Sequence, residues 1–135
     1  MTEIQIVLND AAEVVVPPLH DAEVISLKVK DESVTLSLKE RGDEFVVNFI
    51  GVAQLFMTGF GGQNVILDLL LLNHTNCPAE DLIKSSQRLG LKCDLDTETM
   101  GRYENGELIY SILYPSVGLH LQVLSREVRV YQNQG

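Results

Sequence analysis

Five sets of residues have types that could do chemistry. His20 and Asp21 are adjacent, the two-letter signature of metal-dependent phosphohydrolases. Those enzymes are helical and draw further histidines and an aspartate from their helices, whereas this pair precedes a strand pattern and the chain holds three histidines in all. Asp21 therefore reads as an Asx-type turn residue that accepts backbone N–H bonds, with His20 packing locally. His74, Cys77 and Cys93 have a suggestive spacing for zinc, but no second tight pair completes a ligand set. Gly59, Phe60, Gly61 and Gly62 form a glycine-rich run without the lysine or following helix that a phosphate loop needs, so it reads as a sharp bend or bulge. Asp94 and Asp96 lie in an acidic loop that lacks the full ligand series of an EF-hand. Ser85, Ser86 and Ser116 have no nucleophile elbow and no assignable base. These residues imply no catalytic motif, no metal and no cofactor.

Charge narrows the partners. The 135 residues carry 19 acids against 10 bases, a balance repelled by phosphate backbones, so binding of DNA or RNA by a basic groove is not expected. An acidic surface suits a basic protein partner. Residues 1–44 hold ten acids and four bases, whereas residues 45–77 hold one charged residue, Asp68, which marks the middle of the chain as core. The start has no basic region or cleavage signature, and the most apolar stretch, Val65 to Leu72, is too short to span a bilayer. Two cysteines then read as reduced thiols in the cytoplasm, with no membrane association.

The elements that must position these groups are mostly strands. Ile25, Leu27 and Val29 alternate with Ser26, Lys28 and Lys30; Val34, Leu36 and Leu38 alternate with Thr35, Ser37 and Lys39. Turns at Asp31-Glu32-Ser33 and Arg41-Gly42-Asp43 join them to a third strand over residues 44–50, giving a meander. Arg41-Gly42-Asp43 also spells an adhesive tripeptide, here read as a tight turn. Residues 51–62 read as irregular, and Val65 to Leu72 as a central strand with both faces apolar apart from Asp68. Pro78, Glu80 and Asp81 at one end, Lys84 and Arg88 further on, and Gly90 as a stop predict one amphipathic helix over residues 78–89. Strands resume over residues 108–114, stop at Pro115, and end with Val128 and Val130 as a short edge strand. Phe45, Phe49, Phe56 and Phe60 are expected in the core, whereas Tyr103, Tyr110, Tyr114 and Tyr131 are candidates for partial exposure.

Leu19-His20-Asp21-Ala22-Glu23-Val24 opening a strand, Phe49-Ile50-Gly51-Val52, and Gln63-Asn64-Val65-Ile66 opening another form a pattern over residues 20–72. It resembles small bacterial strand-rich domains that open with a His-Asp pair, among them immunity-type proteins of polymorphic toxin systems. The resemblance implies a cytosolic antitoxin that works by binding, without catalysis of its own.

The expected fold is therefore α+β and a single domain over 1–135: a mainly antiparallel, twisted sheet, half-barrel or sandwich-like, with one short helix against it. The expected function is a non-catalytic protein-binding module whose acidic face occludes a basic partner, with His20, Asp21, Asp94, Asp96 and Tyr103 as binding candidates. Self-association as a homodimer through the strand ending at Tyr131 is a further expectation. The rival is a small-ligand-binding or enzymatic site in a pocket near the glycine-rich bend and His20, with His74 or His120 nearby.

Overall fold

The computed structural model describes residues 1–88 and 95–133, without the side chains of Ser86 and Arg88. In chain order the elements are β1 (Thr2–Ile4), β2 (Val7–Leu8), β3 (Val14–Val16), β4 (Glu23–Lys30), β5 (Ser33–Glu40), β6 (Asp43–Thr58), β7 (Val65–Leu72), α1 (Ala79–Arg88), α2 (Thr97–Glu104), β8 (Ile109–Val117) and β9 (His120–Asn133). It is a strand-rich α+β fold in which all the registered pairings are antiparallel.

The meander forms where alternation and turn chemistry place it. Lys30 pairs with Ser33 across the two-residue loop Asp31-Glu32. Glu40 pairs with Asp43 across Arg41-Gly42, both with positive φ, the backbone that matches strand twist in a tight hairpin. One detail of β4 differs from the expected alternation. A bulge between Val24 and Ser26 shifts the register, so Val24 opposite Leu38 enters the core while Ile25 is 55 % exposed.

β6 does not stop at Ile50. Gly51 takes φ +67, which a side chain would resist, and a Cβ there would run into the Arg126 side chain. A register shift between Val52 and Gln54 follows, and the strand continues to Thr58. The expected irregular stretch is thus largely strand, because a glycine and a bulge let it bend without losing its partner β9. β8 likewise runs through Pro115, which sits at a register irregularity opposite Ile66, where a ladder N–H is not required.

β9 is long and central, correcting the expected edge strand. Residues 120–125 lie between β6 and β8, and residues 127–133 lie beside β6, with β1 on the far side at Val130, Tyr131 and Gln132. β1 occupies the side of β9 at Tyr131, so the strand edge expected to carry self-association is taken within the chain.

The order β1-β9-β6-β5-β4-β7-β8, with β8 also pairing to β9, makes a closed circuit of six strands. One apolar cluster draws on all six strands, including Val24, Leu36, Phe49, Leu69, Leu113 and Leu121. Ile4, Ile6 and Val14 of the N-terminal segment pack against it from outside the circuit.

A second cluster joins Cys77, Leu82, Tyr103, Leu108, Tyr110, Ile112 and Leu124. It covers the outer face of β8 and β9 with helices, so β7 is apolar on both faces for a reason: Leu69 points to the first cluster and Leu70 and Leu72 to the second. The expected single helix becomes two. α2 occupies what reads as an acidic loop, because Asp96 accepts the Thr99 N–H at 2.7 Å and caps it, with Glu98 in the first turn and Arg102 in the last. None of the helices among the described residues is long and apolar enough to cross a membrane.

Candidate functional site

The His20-Asp21 pair lies at the seam where β4 meets β7. Leu19 to Ala22 form a turn closed by Ala22 N–H donating to the Leu19 carbonyl at 3.0 Å, with Asp21 at φ 70, a conformation that aspartate tolerates. Asp21 N–H donates to the Ile66 carbonyl, Ile66 N–H to the Ala22 carbonyl, both at 2.9 Å, and Val24 N–H to the Asn64 carbonyl at 2.7 Å. His20 Nδ1 lies 2.7 Å from the Leu67 carbonyl oxygen. A carbonyl only accepts, so Nδ1 carries the proton and Nε2 is free to accept or to take a second one. Nε2 stands 3.7 Å from Asp21 Oδ1, with the two side chains 62 % and 68 % exposed. The Leu67 hydrogen bond first, then the charges of Asp21, Asp68 and Glu40, raise the His20 pKa above its ordinary value.

The glycine-rich bend is built onto the same seam by Asn64, which is 4 % exposed. Asn64 Oδ1 accepts the N–H groups of Gly61 and Leu119, each at 3.0 Å, and its Nδ2 donates to the Gly61 carbonyl at 2.9 Å. Gly118, at φ +86, leaves no room for a Cβ against Gln63 and Asn64, and Gly59 packs equally closely on Gly118. The carboxamide thus ties the bend to the start of the strand after Gly118.

Around this end of the barrel several apolar side chains stay in water. Phe60 is 51 % exposed, Met57 45 %, Val117 44 % and Leu67 41 %. Phe60 thus corrects the expectation of a core residue: the bend that holds its backbone turns its ring outward. Tyr114 and His120 lie nearby in register, Tyr114 opposite Asp68 and His120 opposite Thr58, with ring centroids 5.6 Å apart. Burial lowers the His120 pKa, and its Nε2 is buried with no hydrogen-bond partner among the described residues. The segments over residues 42–83 and 103–125 carry no lysine or arginine, whereas Lys39 of β5 stands opposite Glu23 where β4 meets β7. The arrangement offers apolar contact beside the carboxylates of Asp21 and Asp68.

The other candidates are distributed elsewhere. His74 lines an open groove of about 340 Å³ with Pro78, Ala79, Glu80 and Glu104. The three histidines are thus held by different partners, His20 by Leu67, His74 beside Gly106 and His120 by Tyr114. Among the described residues no group of three His, Cys, Asp or Glu could hold a metal ion. Asp96 serves as the α2 cap. Asp94 and Cys93 lie outside the described residues.

Tyr103 is fully buried, correcting its expected exposure. Its hydroxyl donates to the Cys77 carbonyl and so ties α2 to the segment before α1. Burial, first among several causes, pushes its pKa far up. Burial also raises the pKa of the Cys77 thiol, the mark of an inert structural cysteine.

Sequence reasoning missed the buried Asn64 that holds the bend and the exposure of Met57, Phe60, Leu67 and Val117. The available signal was the glycine run itself: an aromatic flanked by glycines on both sides has no helix or strand to bury it. No family model matches the chain, and no curated protein matches it.

Proposed function

We propose that the protein is a non-catalytic binding module that covers a basic protein partner with the seam end of its barrel, in the manner of an immunity-type inhibitor acting in the cytoplasm. One observation carries the reading: Met57, Phe60, Leu67 and Val117 remain exposed on segments that bear Asp68 and no lysine or arginine, and Asp21 bonds to Ile66 beside them. An aromatic and a methionine suit the centre of an interface, and carboxylates around them steer a basic surface into register. Inhibition would be steric, by occluding the partner's site.

The test is affinity capture from the native host with wild type and Phe60→Ser, at low and high salt. A basic protein held by wild type at low salt, lost in high salt and weakened at least tenfold by Phe60→Ser is the expected result. Recovery of no basic protein at low salt would end the proposal.

A second reading, a small-ligand or enzymatic site, draws on the buried and unpartnered Nε2 of His120 beside Tyr114. It expects His120→Gln to abolish ligand-induced chemical-shift changes that Phe60→Ser leaves intact.

A further inference from the structure

The N-terminal hairpin is a second apolar surface, separate from the barrel end. β2 and β3 form their own two-stranded sheet, with Val7 opposite Val16 and Leu8 opposite Val14. Val7, Leu8, Val15 and Val16 are each between 41 % and 46 % exposed. Single exposed aliphatics are ordinary, but four on one short hairpin form a local concentration that does call for a cause.

Flexibility is not that cause. A two-stranded hairpin is marginal by itself, yet this one is anchored at several points. Asn9 Oδ1 accepts the N–H groups of Ala11 and Glu13, each at 3.0 Å, and the Asn9 carbonyl accepts Ala12 N–H. The tip is clipped to β7 by Leu71 N–H donating to the Ala12 carbonyl at 3.0 Å and by the Glu13–Leu70 bridge. Ile6 and Val14 pack on the barrel core. The exposed aliphatics are therefore displayed by a fixed support, which lowers the ordering cost of binding.

Charge decides the occupant. The hairpin itself carries Asp10 and Glu13 and no lysine or arginine, and the cation beside Ile6, Arg129, is paired with Glu3 and Glu127. A second copy of the chain would bring a second hairpin with the same acids and no cation of its own, and an anionic lipid surface would be repelled by Asp10 and Glu13. A peptide segment with apolar side chains flanked by cations matches both the aliphatics and the carboxylates.

We propose that the β2–β3 hairpin is a docking strip for an apolar peptide segment flanked by lysine or arginine. The basic chemistry of this occupant rests on the binding reading above, but the contact itself uses none of the residues of the barrel end.

Fluorescence anisotropy with a labelled peptide that alternates valine and lysine tests it, with glutamate in place of lysine and serine in place of valine as control peptides. Wild type binds the valine–lysine peptide and neither control. The double variant Val7→Thr with Val16→Thr, which keeps β-branched strand formers, loses at least tenfold in affinity, and so does Asp10→Lys; Phe60→Ser binds as wild type does. Should the double variant fail to fold by circular dichroism, Asp10→Lys decides the matter. Unchanged binding in a folded hairpin variant, or in Asp10→Lys, overturns the proposal. Loss confined to Phe60→Ser overturns it as well, while leaving the barrel-end reading standing. A concentration-dependent dimer, or attachment to phosphatidylserine vesicles, that the hairpin variant abolishes would assign the strip to a second copy or to a membrane and would equally overturn it.

Discussion

β6 and β9 meet along 13 registered pairs, from Glu44 opposite Asn133 to Thr58 opposite His120, whereas β4 and β7 meet at one, Glu23 opposite Val65. The circuit of strands is shut by both contacts, but by different means. Along the ladder the backbone does the work, and the side chains between the strands are core residues such as Phe45, Val47 and Phe49. At the seam a few backbone hydrogen bonds from Asp21, Val24 and Ile66 are supplemented by the imidazole of His20, and beside it the carboxamide of Asn64 ties the bend to Leu119. Polar residues thus gather where pairing is thin, because a buried or half-buried backbone group without a ladder partner needs another. The same place keeps apolar side chains in water. Structural need and candidate function coincide at the seam, where His20 and Asp21 bond to backbone groups of β7.

Measurements can break this contrast or sharpen it. The largest effect is expected within the ladder: Phe49→Ala removes a fully buried ring and should destabilise by about 3–5 kcal/mol in chemical denaturation. A loss below 1 kcal/mol would mean that the ladder is not the dominant closure. Next comes Asn64→Ala, which strips three hydrogen bonds from the bend and the β8–β9 turn and should cost about 2–4 kcal/mol. Its signature is local: amide exchange at Asp21, Val24 and Ile66 should accelerate more than exchange at Val47 and Val130. Uniform acceleration would show that seam and ladder open together.

The smallest effect is the pH dependence from His20. Its pKa is raised in the folded protein, so its stabilisation is fully present below the unfolded value near 6.5 and is lost as pH rises through the folded value. The gap in melting temperature between wild type and His20→Gln should therefore be widest in mildly acidic solution and shrink towards alkaline pH. His120, whose pKa is lowered, contributes with the opposite sign in both proteins and cancels from the difference. A gap that grows with pH would assign His20 the reverse role.

Local chemistry made much of the fold legible. Alternation over β5 and the first half of β6 is a property of neighbouring residues, and so are the turns at Asp31-Glu32 and Arg41-Gly42. The first helix follows from Pro78, Glu80 and Asp81, whose preferences act within one turn. α2 was partly legible too, since Asp96 three residues before Thr99 is a capping pattern, but the density of acids over residues 94–98 made it read as loop. Where a local signal is carried by a bulge, as at Ile25, the face of each side chain depends on the register of the neighbouring strand, which the alternation does not contain.

By itself, then, the sequence determined a strand-rich acidic chain with an uncharged core, its hairpin turns and its first helix, because each follows from residues a few positions apart. Only the tertiary structure decided that β9 is central rather than an edge, that Tyr103 is buried in the helix-bearing cluster, and that His20 and Asp21 meet Leu67 and Ile66 of β7 across a seam. The contacts that make these decisions join His20 to Leu67 across 47 residues and Asn64 to Leu119 across 55. No propensity or spacing encodes a partner at that distance; it is selected when the whole core packs and brings β4 against β7.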